Sequence, residues 1–309
     1  MLPLEFVSST HPGIDLRIKL SCPIATVVHR RRSDRQMTAN ILDASSYGGL
    51  RDRLLSRFLA GPDSADDIDL EKVLTHLTAL PHADQTTDSI DALIQLAKNF
   101  WYAGQVAEAL RAASHAAEAS VNLGDKLLLC IARGICGVVL SNLGRYGEAT
   151  VSLVECCSIA RDLGDSRREA TAINDFGQVC GGMGQYEVAA SYFEQTIKIA
   201  DEMAFDDLAL RARSNLAVCA VELRDTARGF AALSRIQIED LTRQNVVICA
   251  SAHHNLAHLH LLAGDLSLAQ LHAKKSTQLA AATKVKGAQR AARALRGLVD
   301  VYSGEVKKG

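Results

Sequence analysis

From about residue 89 onward, apolar residues recur at spacings of three and four, the stripe that an α-helix turns toward a core. The stripe is broken on a fixed beat. Gly104, Gly144, Gly184, Gly264 and Gly304 fall on a comb of 40-residue period, with Arg224 at the remaining tooth. Ala92, Ala132, Ala172, Ala212, Ala252 and Ala292 each stand twelve residues before a tooth; Ala109, Ala149, Ala189 and Ala269, with Gly229 in the fourth unit, stand five residues after one. Glycine accepts the positive φ that a tight turn between two helices demands, and small residues repeating at one place predict helices in close contact. A second break, Leu123-Gly124-Asp125 and Leu163-Gly164-Asp165, lies between successive teeth. Each unit therefore reads as helix, short turn, helix, short turn. One such hairpin cannot bury its apolar face alone, so neighbours must stack, and the pattern predicts an all-α array of antiparallel helical hairpins with a curved inner surface.

The comb divides 89–309 into units 89–128, 129–168, 169–208, 209–248 and 249–288 and a partial sixth, 289–309. Before it, residues 37–88 are expected to hold two amphipathic helices, near Gly49 to Ala60 and Asp66 to Leu80, split by Gly61-Pro62 and capping the first repeat. Residues 1–36 carry prolines, scattered serines and the run His29-Arg30-Arg31-Arg32-Ser33-Asp34-Arg35 without sustained periodicity, and disorder is expected there. The basic run reads as a solvated tail, with nucleic-acid or membrane-surface binding as the alternative, and Met37 as the native start stays open beside both. In the last unit Arg290, Arg293 and Arg296 give the helix at about Ala288 to Tyr302 a basic face, as an end helix facing solvent requires; the other reading is a chain that once continued into an output domain.

Composition changes this picture little. The net charge of −1 over 309 residues exerts no pull toward nucleic acid or an anionic membrane. All five prolines precede residue 82, so nothing later interrupts a run of helices. Cys130, Cys136, Cys156, Cys157, Cys180, Cys219 and Cys249 lie among apolar helical residues without CxxC spacing and read as reduced, buried thiols. The order of apolar and basic residues at the N-terminus is wrong for a secretory leader, and no run reaches the ~20 apolar residues of a membrane span, so a cytoplasmic protein is expected.

Chemistry is sparse. His254 and His258 sit one helical turn apart in SAHHNLAHLH and could hold a divalent metal only with a third ligand from another helix; hydrogen-bonded histidines of the inner surface are the reading adopted, with no metal and no cofactor. No phosphate loop, dinucleotide fingerprint or nucleophile elbow occurs, and Gly181-Gly182 runs into Met183, unlike the GGDEF sequence of a cyclase, so no catalytic residue is assigned and no enzyme is expected.

Gly137 and Gly177 seven residues before the turn glycine, Tyr146 and Tyr186 two after it, the alanines five after it and Phe193 nine after it resemble the tetratricopeptide repeat family in a longer, 40-residue form, over roughly Ser89 to Gly309. The fourth unit departs from the pattern at Arg224 and Gly229. The resemblance implies a right-handed superhelical solenoid whose first helices line a concave groove for a protein or peptide, with contacts ten, six, three and two residues before each turn. Carried onto this chain, it selects Lys98, Trp101, Tyr102, Asn142, Asn174, Gln178, Glu222, His254 and His258. Asn174 and Gln178 would hydrogen-bond an extended backbone; Trp101 with Tyr102 would anchor an apolar side chain, although packing of Trp101 under the cap is an equal alternative. Without a Lys/Arg clamp, recognition of an internal segment or helix is expected rather than capture of a chain end. No nucleic-acid or membrane partner is expected, and a homodimer is left open. Long repeats of this kind also look like the sensory halves of bacterial signalling proteins, including some diguanylate cyclases and transcription activators, which makes a regulatory half lacking its output domain the alternative function.

Overall fold

The computed structural model describes residues 47–60, 69–234, 246–282 and 286–304. Among them are α1 (Tyr47–Ala60), α2 (Leu70–Thr78), α3 (Thr87–Tyr102), α4 (Val106–Leu123), α5 (Lys126–Asn142), α6 (Tyr146–Asp162), α7 (Ser166–Gly182), α8 (Tyr186–Glu202), α9 (Asp206–Leu223), α10 (Thr226–Ser234), α11 (Val246–Leu262), α12 (Leu266–Ala281) and α13 (Lys286–Tyr302), with a single 3-10 turn at His82–Asp84 and no strand. The segment expected to be disordered, 1–36, lies outside the described residues. The helices fall into two compact units, within Ile24–Ala172 and within Ile173–Gly309, the division passing through α7 and not between cap and repeats.

The turns explain the glycine comb. Gly104, Gly144, Gly184, Gly264 and Gly304 all have φ between 73° and 82°, and the first four release the chain from one helix into the next. At Gly144 the left-handed residue lets the Arg145 N–H reach back to the Leu140 carbonyl at 2.9 Å, satisfying an acceptor the helix end would otherwise orphan. Arg224 adopts the same conformation, φ 57°, and Asp225 N–H closes on Ala220 at 2.9 Å, so the unit that departs in sequence keeps the geometry. The second break behaves likewise at Gly124, Gly164 and Ala204 (φ 55°). Aspartates after four of these turns cap the next helix: Asp125 accepts from Leu128 N–H at 3.0 Å, Asp165 from Arg168 N–H at 2.9 Å, Asp225 from Arg228 N–H at 3.0 Å and Asp265 from Leu268 N–H at 3.1 Å. Ala204 holds a left-handed φ that strains a Cβ, so Ala204→Gly is expected to raise the unfolding free energy by about 0.5–1 kcal/mol in urea titration; an unchanged or lower midpoint would deny the strain.

The alanine combs are the seams. Ala92, Ala132, Ala212 and Ala252 before the turns, and Ala109, Ala149, Ala189 and Ala269 after them, are fully buried. Where a seam position lacks even a methyl group, a neighbouring side chain enters: a Cβ on Gly137 would stand 2.6 Å from Leu153, one on Gly177 2.7 Å from Phe193, and one on Gly229 2.5 Å from Leu259. In the Ile24–Ala172 unit α1 lies on α3, and α3 packs on both α4 and α5; in the Ile173–Gly309 unit α9 packs on α8, α10 and α11, and α11 on α12 and α13. First helices thus pack on first helices inside each unit, α3 on α5, α9 on α11 and α11 on α13, with second helices closing the seams: α8 joins α9 through Ala189, Phe193 and Leu216, Leu210 of α9 meets Ala252 and Leu259 of α11, and Ala273 of α12 joins Ala257 and Leu295.

Candidate partner-binding faces

In the Ile24–Ala172 unit the selected residues sit on α3 and α5. Lys98 is half-buried, its Nζ donating to Gln95 Oε1 at 3.4 Å. Desolvation depresses the pKa of its ammonium below the ordinary lysine value; Asp91 opposes the shift and the like charge of Arg168 adds to it. Next to it, buried Asn99 ties α3 to α1 by donating to the Leu54 carbonyl at 2.8 Å. Trp101 is half-buried, Tyr102 ends α3 with its side chain outside the described residues, and Asn142 is exposed at the end of α5.

The Ile173–Gly309 unit corrects one expectation. Asn174 is fully buried and out of a partner's reach: its Nδ2 donates to Asp175 Oδ1 at 3.1 Å, and its Oδ1 accepts from Asn215 of α9 at 3.3 Å. An amide there does have a structural task, because it satisfies one buried polar group and joins two stacked helices. Gln178, half-buried, donates to the same Asp175 oxygen at 2.8 Å. Burial drives the Asp175 carboxyl up to about 6, against the pull of the Arg211 charge and the two amide donors. Arg211 of α9 is half-exposed as a residue, yet its Nε is buried with no hydrogen-bond partner among the described residues. One helix further, Asn255 of α11 donates to the Ser214 carbonyl at 3.2 Å.

Glu222, at the end of α9, is half-buried and desolvation raises its carboxyl to about 7; its charge also contributes, after desolvation, to holding the Tyr186 phenol up at about 12. His254 and His258 have ring centroids 5.0 Å apart, and burial depresses them to about 3 and about 4, so both are neutral at physiological pH. On the opposite side of α11, His253 Nδ1 meets His272 Nδ1 at 2.9 Å, which obliges one ring to donate and the other to accept, while His260 stacks on His272 at 5.3 Å. Among the described residues no group of three His, Cys, Asp or Glu side chains is arranged to hold a metal ion, and no helix is long and apolar enough to cross a membrane.

Reading the resemblance positions alone overlooked Asp175, Arg211, Asn215 and Asn255. A signal existed one residue along: nine places before the teeth stand Gln95, Ile135, Asp175, Asn215, Asn255 and Leu295, four of the six polar.

No protein-family model matches the sequence, and no curated protein matches it. Its fold does resemble solved structures. A signal transduction ATPase with numerous domains and a tetratricopeptide repeat sensor, from Pyrococcus horikoshii, superposes with a TM-score of 0.62 at 17% identity over 87% of this chain and 41% of that one. Aspartyl phosphate phosphatase F from Bacillus subtilis gives 0.57 at 13% identity over 91% and 77% of the two chains. A Rap protein complexed with competence and sporulation factor gives 0.52 at 14% over 89% and 74%. By fold, then, the chain is an all-α tetratricopeptide-type repeat protein.

Proposed function

We propose that this chain is a non-catalytic scaffold that binds a protein or peptide through the faces its first helices present. In the Ile173–Gly309 unit the contact centres on Gln178 and Arg211, flanked by Glu222, His254 and His258; in the Ile24–Ala172 unit Lys98, Trp101, Tyr102 and Asn142 take the corresponding part. The observation that carries this reading is Arg211, whose buried Nε lacks an acceptor among the described residues, beside a carboxyl that burial holds half-neutral at about pH 6. A buried donor left without a partner costs about 1–3 kcal/mol, which an acceptor from outside recovers. Main-chain carbonyls of an extended peptide or the amide of an Asn or Gln side chain fit that need, and neutral His254 and His258 add hydrogen-bonding groups without charge.

The test is selection of binding peptides from a random library, followed by fluorescence anisotropy with Arg211→Gln/Gln178→Ala. Affinity is expected to fall at least ~10-fold, about 1.4 kcal/mol, measured at a temperature where circular dichroism shows both proteins folded; peptides that bind the double variant as well as wild type would remove the site. A second, regulatory reading draws support from the tetratricopeptide repeat sensor of the Pyrococcus signal transduction ATPase and from the Rap protein complexed with competence and sporulation factor. An in-frame cyclase or DNA-binding region downstream of the Gly309 codon would favour it.

A further inference from the structure

Four thiols crowd one hairpin of the Ile24–Ala172 unit: Cys130 and Cys136 on α5, Cys156 and Cys157 on α6, all buried and none in a disulfide. We propose that Cys130 and Cys156 are a peroxide-responsive pair that closes to a disulfide linking α5 to α6. Their Sγ atoms lie 3.6 Å apart, in van der Waals contact, and the Cys130 Sγ is also 3.4 Å from the Cys156 carbonyl oxygen. A side-chain rotation of about 1.5 Å brings the sulfurs to the ~2.05 Å of a disulfide.

The chemistry separates Cys130 from its neighbours. A hydrogen bond from Cys156 lowers the Cys130 pKa against the opposing effect of burial, helped by the positive charge of Arg168, whereas at Cys136 and Cys157 burial prevails and raises the thiol. Cys130 is therefore the nucleophile and Cys156 the resolving thiol. The Cys130 thiolate attacks one oxygen of hydrogen peroxide; the S–O bond forms, the O–O bond breaks, and the departing hydroxide is protonated to water, leaving Cys130 as a sulfenic acid. Cys156 sulfur then attacks Cys130 sulfur; the S–S bond forms, the S–O bond breaks, and the leaving hydroxide takes the Cys156 proton as a second water. Two thiols lose two electrons and one peroxide becomes two waters, with no further reagent.

Half-buried Gly134 faces Cys156: a Cβ there would stand 3.4 Å from the Cys156 Sγ, at ordinary van der Waals contact across the α5–α6 seam. Because both thiols are buried, the oxidant suited to them is small and neutral, as hydrogen peroxide is, and a bulky disulfide reagent is not.

The test is peroxide treatment of the full chain, alkylation of remaining thiols and tryptic mass mapping. Wild type is expected to lose the mass of two hydrogens and to yield the peptide Leu127–Arg133 linked to Tyr146–Arg161, released by dithiothreitol. Cys157→Ser should retain the link, and Cys156→Ser should abolish it and leave Cys130 as a sulfenic or sulfinic acid. The proposal is overturned if Cys130 and Cys156 are both still alkylated after oxidant that has converted the half-buried Cys180, or if the link survives Cys156→Ser and vanishes with Cys157→Ser. Circular dichroism thermal melts on each variant identify any that fail to fold, and Cys157→Ser read against wild type then decides the matter.

Discussion

Phe193→Ala is expected to cost about 3–5 kcal/mol of unfolding free energy, the range for emptying a fully buried aromatic site. The ring of Phe193 lies in the notch left by Gly177, where a Cβ would come within 2.7 Å of Cε1 and 2.9 Å of Cζ, and it is walled by Ala189, Leu216, Cys219 and Ala232. Ala189, Cys219 and Ala232 are too small to refill the space. The reciprocal change supports the same argument: Gly177→Ala forces a methyl group against the ring and is expected to destabilise by about 1–3 kcal/mol, reduced by the roughly 1 kcal/mol that alanine gains over glycine inside a helix. One repeat earlier the notch at Gly137 receives Leu153, so Phe193→Leu, which installs the side chain used there, should cost clearly less than Phe193→Ala. Guanidinium unfolding followed by circular dichroism measures all three. A loss below about 1 kcal/mol for Phe193→Ala would mean that the knob and notch do not set the spacing of α7 and α8.

The second large effect is a change with pH. Asp175 titrates at about 6 in the folded protein and near the ordinary aspartate value of 3.8 when unfolded, the shift being caused first by desolvation and opposed by Arg211, Asn174 and Gln178. Below pH 3.8 both states are protonated and the carboxyl costs nothing; as pH rises through 6 the unfolded chain has released its proton more readily, and stability falls. Across this window wild type is expected to lose up to about 3 kcal/mol relative to Asp175→Asn, whose amide does not ionise. The difference between the two proteins, followed by urea unfolding from pH 4 to pH 8, isolates this group from every other titration. A pH-independent difference would show that the Asp175 carboxyl is not desolvated. Partner binding adds a check on the proposed site: a ligand that supplies an acceptor to Arg211 should bind Asp175→Asn and wild type with different pH dependence over the same window.

The architecture was legible because it rests on backbone rules that repeat. A left-handed residue after each helix calls for glycine, a tight seam calls for alanine, and both recur every 40 residues, so a comb of identities translates directly into hairpins. Arg224 stood out in sequence, yet the Asp225 to Ala220 hydrogen bond holds it in the conformation that glycine adopts at the other teeth. The polar face was less legible, for a definite reason. Asn174 and Gln178 share a face one helical turn apart, and nothing in their spacing says which will be consumed internally. That depends on Asp175, one position away, and on Asn215, 41 residues later and across a helix interface. Hydrogen-bond satisfaction is settled in three dimensions, between neighbouring repeats, where a single-repeat pattern carries no information.

The amide bonds between stacked first helices carry one more implication. Asn215 grips Asn174, and Asn255 grips the Ser214 carbonyl, so each rod is pinned lengthwise against its predecessor. Sliding by a single turn would break both hydrogen bonds and leave the buried Asn255 amide without its acceptor, whereas a small tilt about them would leave both intact. This stretch of the molecule can thus bend like a hinged strip while resisting shear.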